Sequence, residues 1–131
     1  MTASLAAHPR ILVVDDDPDV RSVISLSLGR VGNMEVVEAH SGHDAIERLR
    51  RAAYDAIVLD VMMPGLDGPS TLELIRTEFG DVETPVIFIT AKVQPSEVRR
   101  LTSIGAAAVI AKPFDPMTLP DEVRTIIERA A

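Results

Sequence analysis

The chain has 131 residues, the size of one ordinary domain, and 47% of them are apolar, so it can bury a full core. A net charge of −7 argues against a surface devoted to nucleic acid or membranes, and the absence of cysteine excludes disulfides, thiolate metal sites and cysteine nucleophiles. Residues 1–9 lack the basic start and apolar core of a signal peptide. We expect them to form a tail before a single domain at 10–131, and we expect a cytoplasmic location.

Five short apolar runs, distributed along the whole chain, predict five β-strands. Four of them contain no polar residue, which is typical of strands buried on both faces of a parallel sheet. The runs are Ile11–Val14, Val36–Ala39, Ala56–Leu59, Val86–Ile89 and Ala108–Ala111.

Helical patterns separate these runs. Asp17 and Pro18 supply a cap and a first-turn proline for the first helix, which we expect Gly32 to end. The last helix begins near Asp115–Pro116 with a tight turn and becomes regular from about Pro120, because proline lacks a backbone donor. The other helices are predicted at Ser41–Arg51, Ser70–Phe79 and Ser96–Ile104. The residues expected to face inward include Val20, Val23, Ile24 and Leu28 of the first helix and Leu72, Leu74, Ile75 and Phe79 of the third.

Strands that alternate with helices in this way indicate a doubly wound α/β fold, a flavodoxin-like (βα)5 chain whose five-stranded parallel sheet has the order 2-1-3-4-5. Such sheets bind ligands at the carboxyl ends of their strands. We therefore expect the functional site at that edge, where polar residues follow or end the apolar runs: Asp15, Asp16, Asp60, Thr90 and Lys112.

The residue types at this edge predict its chemistry. Three carboxylates in one cleft repel each other and require a cation, and ligands that are all oxygen favour a hard ion such as Mg²⁺. The hydroxyl of Thr90 and the ammonium of Lys112 add donors for an anion, so the edge suits a phosphoryl group beside a metal ion. Asp60 ends the middle strand, between the acidic pair and these donors, and is the candidate nucleophile.

Four segments of the sequence, LVVDDDP, VLDVMMPGLDG, FITA and AKPF, closely resemble the receiver domain of bacterial two-component response regulators. The resemblance covers roughly Arg10 to Arg129. It implies a signalling switch in a phosphorelay, in which Asp60 accepts a phosphoryl group from a histidine kinase, a phosphotransfer protein or another phosphodonor. It also implies that the chain is not an enzyme beyond catalysing its own phosphorylation and dephosphorylation.

The resemblance further implies a role for each residue of the site. The expected ligands of Mg²⁺ are Asp16, Asp60 and the backbone carbonyl of Met62, with Asp15 contributing mainly through water. The groups expected to receive the phosphoryl oxygens are Thr90, the amide of Ala91 and Lys112. A cis peptide is expected between Lys112 and Pro113.

Two departures from the commonest family pattern concern how the switch works. Val109 stands three residues before Lys112, where many receivers carry a Tyr or Phe that changes orientation. Met62 and Lys92 are expected to flank the phosphoryl group and to influence water access. We expect the signal to leave through the fourth and fifth helices, with no direct contact to nucleic acid or membrane. The residues expected to form a mixed-charge face there, for an output partner or a second copy, are Glu97, Arg100, Arg124 and Glu128.

Two other functions are carried as alternatives. A pseudo-receiver would serve only as an interaction module, against which the intact acids, Thr90 and Lys112 speak. A phosphohydrolase of the haloacid dehalogenase type would need a second acid two residues after the nucleophile, where this chain has Met62. Several further residues are expected to be structural: Asp17 as a helix cap, Asp67–Gly68 as a turn, Met63 as packing, and His8, His40 and His43 as surface residues.

Overall fold

The computed structural model describes residues 8–80 and 83–130, so most of the predicted tail lies outside the described residues. The strands are β1 (Arg10–Val14), β2 (Glu35–Ala39), β3 (Ala56–Asp60), β4 (Val86–Thr90) and β5 (Ala108–Ala111). The helices are α1 (Pro18–Leu26), α2 (Gly42–Arg51), α3 (Gly68–Phe79), α4 (Pro95–Ser103) and α5 (Leu119–Ala130). A π-helical segment, Ser27–Val31, continues α1 and is called the π segment below.

The five strands form one parallel sheet in the order β2-β1-β3-β4-β5, which confirms the predicted fold class and strand order. Side chains alternate between the two faces of the sheet. Leu12, Leu59 and Phe88 face a core formed with α2, α3 and α4. Ile11 and Val58 face a second core formed with α1 and α5. Because all five strands are parallel, their carboxyl ends meet at one edge of the sheet, between the helices that cover its two faces.

Burial on both faces holds for the three inner strands but not for β5. Every residue of β3 and β4 is buried, whereas β5 buries only Ile110. The expectation that Ala108–Ala111 is buried on both faces is therefore wrong. The reason is topological, because β5 is the last strand of the order and pairs only with β4.

Two residues that the helical patterns placed inside are exposed. Val23 of α1 is 44% exposed and Leu74 of α3 is 38% exposed. Each stands beside a residue that takes the position facing the sheet, Ile24 in α1 and Ile75 in α3. Ile24, Leu28, Leu72 and Ile75 are buried as predicted, whereas Val20 and Phe79 pack against the cores but are only partly buried.

The helix boundaries agree with the prediction to within two residues. A turn at 116–118 precedes α5, which begins at Leu119, one residue before the predicted start. Gly32 ends the π segment, and its amide donates to the carbonyl of Ser27. Its φ of −87° is open to any residue, so close packing explains why a glycine is needed: a Cβ there would lie 2.6 Å from Cβ of Pro120.

Within the described ranges, none of the helices has the length and apolar character needed to cross a membrane.

Candidate functional site

The acidic residues predicted at the carboxyl edge of the sheet come together there. Asp60 is the last residue of β3, and Asp15 and Asp16 follow β1 directly. One carboxylate oxygen from each of the three lies within 4.8 Å of the others. Asp15 and Asp60 are buried and Asp16 is exposed, so the cluster opens to solvent on one side.

Asp15 is the most constrained of the three carboxylates. Its Oδ1 accepts the amide of Asp17 at 2.9 Å. Its buried Oδ2 lies 3.5 Å from the ammonium of Lys112 and has no hydrogen-bond partner among the residues that the structure describes. Burial raises the pKa of Asp15, and the negative charge of Asp60 adds to this effect. The Asp17 amide and Lys112 lower that pKa without cancelling the increase.

Lys112 brings a positive charge to this acidic edge. Its Nζ donates to Oδ1 of Asp60 at 3.0 Å, and its backbone amide donates to the carbonyl of Thr90 at 2.8 Å. Burial acts to lower the pKa of Lys112, but the hydrogen bond to Asp60 and the charges of Asp15 and Asp60 outweigh it, so the pKa is raised. Lys112 therefore stays protonated beside Asp60. The peptide bond between Lys112 and Pro113 is cis, as predicted.

Thr90 ends β4 as predicted and is buried. Its Oγ1 accepts the amide of Lys92 at 3.1 Å, so the hydroxyl holds the first turn of the loop that leads to α4. Ala91 is exposed and borders an apolar cleft together with Lys112. The two residues predicted to receive an anion with Thr90 are thus accessible from the same side.

The two methionines after Asp60 lie in different environments. Met62 is 63% exposed, at the position predicted to flank a phosphoryl group, whereas Met63 is buried in the core as expected. His8, His40 and His43 are exposed, and Asp17 caps α1 through the amides of Asp19 and Val20, so these predictions are also confirmed.

The prediction that Asp67–Gly68 forms only a turn is wrong. Asp67 is the N-cap of α3, and its side chain accepts the amide of Ser70 at 2.8 Å. Gly68 packs against the site: a Cβ there would contact the carbonyl of Asp60 and lie 2.9 Å from the ring of Phe88. A sequence signal was available, because Asp67 is followed by a proline in the first turn, the same pattern that begins α1.

Arg21 is a second residue that sequence reasoning missed. It extends from α1 and donates through Nη1 to the carbonyl of Asp15 at 2.8 Å, while its Nε pairs with Glu38 of β2 at 2.8 Å. Arg21 therefore fixes the backbone of the loop that carries the acidic pair. No local pattern identifies it, because an arginine on a helix surface is usually solvated.

The predicted mixed-charge face is wrong with respect to Arg124. This residue is half-buried, and its Nη2 donates to the carbonyl of Gly32 at 2.7 Å, at the end of the π segment. The guanidinium thus reaches the end of the π segment that continues α1. Glu97 and Arg100 of α4 pair with each other at 2.7 Å.

The residues present fit a hard divalent cation. The cluster offers only oxygen ligands, and Oδ2 of Asp15 is buried with no hydrogen-bond partner in residues 8–80 and 83–130, which is costly for a carboxylate oxygen. A single ammonium balances part of the charge of three carboxylates. Mg²⁺ bound by carboxylates is the common solution for such a set, and it keeps positions open for phosphate oxygens.

Transcriptional regulators of known sequence are similar to this chain. The chain is 36% identical over 122 residues to the transcriptional regulatory protein ResD of Bacillus subtilis, and 35% identical over 121 residues to the probable transcriptional regulator ycf27 of Porphyra purpurea. These matches cover 93% and 92% of this chain but only 49% and 48% of the relatives. The chain thus spans about half the length of these relatives.

Solved structures share the complete fold. The receiver domain of the Francisella response regulator 1452 has a TM-score of 0.85 at 29% identity, with 95% of this chain and 100% of that chain covered. The chemotaxis protein CheY4 of Vibrio cholerae has a TM-score of 0.83 at 28% identity, with 91% and 98% covered. A sequence model described as the response regulator receiver domain matches residues 11–124. That match runs from β1 into α5 and includes every residue of the sheet except Arg10, and the chain therefore belongs to the response regulator receiver domain family.

Proposed function

We propose that this receiver domain is a phosphorylatable switch in which Asp60 accepts a phosphoryl group. The observation that carries the proposal is the hydrogen bond from Lys112 to Asp60, 3.0 Å long, inside a cluster of three carboxylates. A buried aspartate at the end of an inner strand is held rigidly, and a rigid mount lowers the entropic cost of a reaction at its carboxylate.

The chemistry is nucleophilic substitution at phosphorus. A carboxylate oxygen of Asp60 attacks the phosphorus of a phosphohistidine on a kinase or phosphotransfer protein, or of a small phosphodonor. The new bond joins oxygen to phosphorus, and the bond from phosphorus to the donor breaks with its electron pair left on the donor atom. The product is an aspartyl phosphate on this chain.

Each remaining residue of the site supports this step through charge or position. Asp16, Asp60 and the carbonyl of Met62 would hold Mg²⁺, with Asp15 acting mainly through water. The bound ion would offset the negative charge of the carboxylates and of the phosphoryl oxygens. After transfer, Lys112 would exchange its hydrogen bond with Asp60 for one with a phosphoryl oxygen, and Thr90 and the amide of Ala91 would donate to the others.

The partners follow from the same proposal. A histidine kinase or a phosphotransfer protein supplies the phosphoryl group, and an output partner reads the surface around α4 and α5, with the chain acting in the cytoplasm. The chain has no substrate of its own and so acts as a switch and not as an enzyme. A phosphohydrolase is disfavoured because the position two residues after Asp60 holds the apolar Met62, which offers no general acid.

Labelling with acetyl phosphate tests the proposal against a pseudo-receiver. We expect the intact chain to gain one phosphoryl group with Mg²⁺ and none with EDTA, and mass spectrometry should locate it on Asp60. Asp60→Ala should abolish labelling, whereas Asp121→Asn, an exposed acid in the first turn of α5, should not change it. Labelling that persists in Asp60→Ala or in EDTA contradicts the assignment, and an intact chain that never labels is a pseudo-receiver.

A further inference from the structure

The backbone of Asp15 is held from two neighbouring elements at once. Its amide donates to the carbonyl of Ala39, the last residue of β2, at 3.2 Å. Its carbonyl accepts a hydrogen bond of 2.8 Å from Nη1 of Arg21 in α1. Both polar groups of this residue's main chain are therefore fixed, although Asp15 lies just beyond the end of β1.

Arg21 is itself oriented by a second contact. Its Nε donates to Oε1 of Glu38 at 2.8 Å, and Glu38 directly precedes Ala39 in β2. Because Nε and Nη1 belong to one planar guanidinium, a single rigid group joins the carboxylate of Glu38 to the carbonyl of Asp15. The side chain of Arg21 is only 19% exposed, whereas a solvated arginine would extend into water. We call this pair of contacts the Arg21 bridge.

The Arg21 bridge acts on a peptide plane next to the acidic cluster. The carbonyl of Asp15 and the amide of Asp16 belong to the same planar peptide group, and the Cα atoms that carry the two carboxylates are the two ends of this plane. Fixing the carbonyl oxygen therefore fixes where both side chains start. Their positions relative to Asp60 depend in this way on a contact that lies outside the cluster.

We propose that Arg21 is a positioning residue for the divalent cation and that Glu38 acts through it. The inference rests on the proposed function, since it concerns the ion that Asp15, Asp16 and Asp60 would hold. Arg21 reaches the cluster through a backbone oxygen, so it orients the carboxylates and is not itself a ligand. Residues that orient metal ligands without touching the ion change metal affinity by about 10- to 100-fold when they are replaced.

Another arginine of the chain provides a matched comparison. Arg50 of α2 pairs with Glu78 of α3 at 2.5 Å, so this pair also joins two elements. Among the described residues, the guanidinium of Arg50 donates only to carboxylates, whereas Arg21 divides its donors between a carboxylate and the main chain of the acidic loop. Ion pairs on protein surfaces contribute little to stability, and loss of the Arg50 pair should not reach the site.

Amide chemical shifts of the full chain, titrated with Mg²⁺, test the positioning role. Arg21→Met keeps the length of the side chain and removes the guanidinium, and we expect it to raise the dissociation constant for Mg²⁺ about tenfold. Arg50→Met should leave that constant unchanged. A dissociation constant in Arg21→Met equal to that of the parent, or an equal increase in Arg50→Met, overturns the proposal.

Two further variants separate position from charge. Lysine keeps the positive charge but carries its donors on one nitrogen, so it lacks the planar fork that reaches Glu38 and the carbonyl of Asp15 together. Arg21→Lys should therefore weaken Mg²⁺ binding nearly as much as Arg21→Met. Glu38→Ala should also weaken it, and the double variant of Arg21→Met with Glu38→Ala should be no weaker than Arg21→Met alone, because both residues act through one contact.

Either of two results with these variants overturns the bridge. Full affinity in Arg21→Lys would show that charge alone matters, and additive losses in the double variant would show that Glu38 acts independently of Arg21. Circular dichroism in EDTA checks that each variant is folded. If Arg21→Met does not fold, Arg21→Lys and Glu38→Ala decide the same question.

The dependence of acetyl phosphate labelling on Mg²⁺ gives a second readout that distinguishes positioning from a general structural defect. In Arg21→Met the half-saturating concentration of Mg²⁺ should rise about tenfold, and the labelling rate at saturation should equal that of the parent. A rate that stays low at saturating Mg²⁺ overturns the positioning role, while labelling of Asp60 in the parent keeps the proposed function. A parent chain that binds no Mg²⁺ overturns both.

Discussion

The ammonium of Lys112 lies 3.0 Å from Oδ1 of Asp60, although 52 residues separate them in the chain. Asp60 ends β3 and Lys112 follows β5, so the two residues lie across β4 from each other at the carboxyl edge of the sheet. The same ammonium lies 3.5 Å from Oδ2 of Asp15. One cation thus balances part of the charge of the two buried carboxylates.

Lys112→Met tests this balance, since methionine keeps most of the side-chain volume and removes the charge. In EDTA we expect a loss of about 2 kcal/mol in the free energy of unfolding, because two buried carboxylates lose their cation. Added Mg²⁺ should then stabilise the variant more than the parent. Urea unfolding with and without Mg²⁺ measures both effects. Lys92→Met, which changes the exposed lysine, is the control, and equal losses in the two variants would refute the balance.

Asp15→Asn should stabilise the chain in EDTA. The raised pKa of Asp15 means that the folded state favours its neutral form, chiefly because of burial. The contribution of Asp15 to the free energy of unfolding is therefore complete at pH values below its unfolded pKa, and it is lost as the pH rises through its folded pKa. The neutral amide avoids that loss, and we expect an increase of about 3 °C in Tm at pH 7, equivalent to about 1 kcal/mol.

The pH dependence provides the check on Asp15→Asn. The difference in Tm between variant and parent should shrink as the pH falls through the raised folded pKa of Asp15, because the parent carboxyl then becomes neutral too. The variant should also gain less stability from Mg²⁺ than the parent. A difference in Tm that is the same above and below the folded pKa of Asp15 would show that the charge of Asp15 is not its cause.

Met62→Asn should shorten the lifetime of the aspartyl phosphate. The thioether of Met62 cannot orient water, whereas an amide at the same exposed position can hold a water near the phosphorus. We expect hydrolysis to accelerate about tenfold, less than a full general base provides. The decay of radiolabelled protein measures the rate. Met117→Asn, at another exposed methionine, should have no effect, and an unchanged or slower decay in Met62→Asn contradicts the prediction.

Gly68→Ala should destabilise the fold beside the site. A Cβ at Gly68 would press on the carbonyl of Asp60 and lie 2.9 Å from both Cα of Val61 and the ring of Phe88. We expect a loss of about 2 kcal/mol, typical of overpacking in a core. At Gly29 the nearest atom to a Cβ would be 3.8 Å away, so the alanine fits without a clash. Because alanine has the higher helix propensity, Gly29→Ala should raise the free energy of unfolding by up to about 1 kcal/mol. Urea denaturation measures the change in the free energy of unfolding for each variant, and equal changes in the two would refute the packing argument.

The loop before α4 and the start of that helix should respond most to a phosphoryl mimic. Val109 is too small and too stiff to act as an aromatic switch, so a shift of Thr90 must pass into residues 91–98. These residues are largely exposed, and Gln94 caps α4 without a side-chain hydrogen bond. The other end of α4 is held by Arg76, which donates to the carbonyl of Ile104.

Amide chemical shifts with and without beryllofluoride measure this response. We expect larger changes over residues 91–98 than over 100–105, and Arg76→Gln should extend the changes to the second range. Couplings of this kind amount to about 1–3 kcal/mol, so partial shifts are expected. Changes confined to the acidic cluster, with residues 91–105 silent, would exclude this route.

The pattern of apolar runs was sufficient to predict the sheet, its strand order and the edge that carries the site. Runs without polar residues are stable only when buried, and strands that alternate with helices can be connected in few ways. Asp15, Asp60, Thr90 and Lys112 then had to converge, because parallel strands bring their carboxyl ends to one edge. The starts of the helices at Asp17–Pro18 and near Pro120 could likewise be predicted from the local sequence, because caps and prolines act within one turn.

Only the tertiary structure decided which partner each of these side chains has. The hydrogen bond between Lys112 and Asp60 depends on the spacing of three strands, and the contact from Arg21 to the carbonyl of Asp15 depends on how α1 lies on the sheet. Val23 is exposed because its neighbour Ile24 faces the sheet instead. Helical periodicity alone does not decide which of these two adjacent residues faces inward. Gly68 is required by the carbonyl of Asp60 and the ring of Phe88, which meet only after β3, β4 and α3 have packed together. Local propensities act over a few residues, whereas these contacts join segments far apart in the chain and exist only in the folded core.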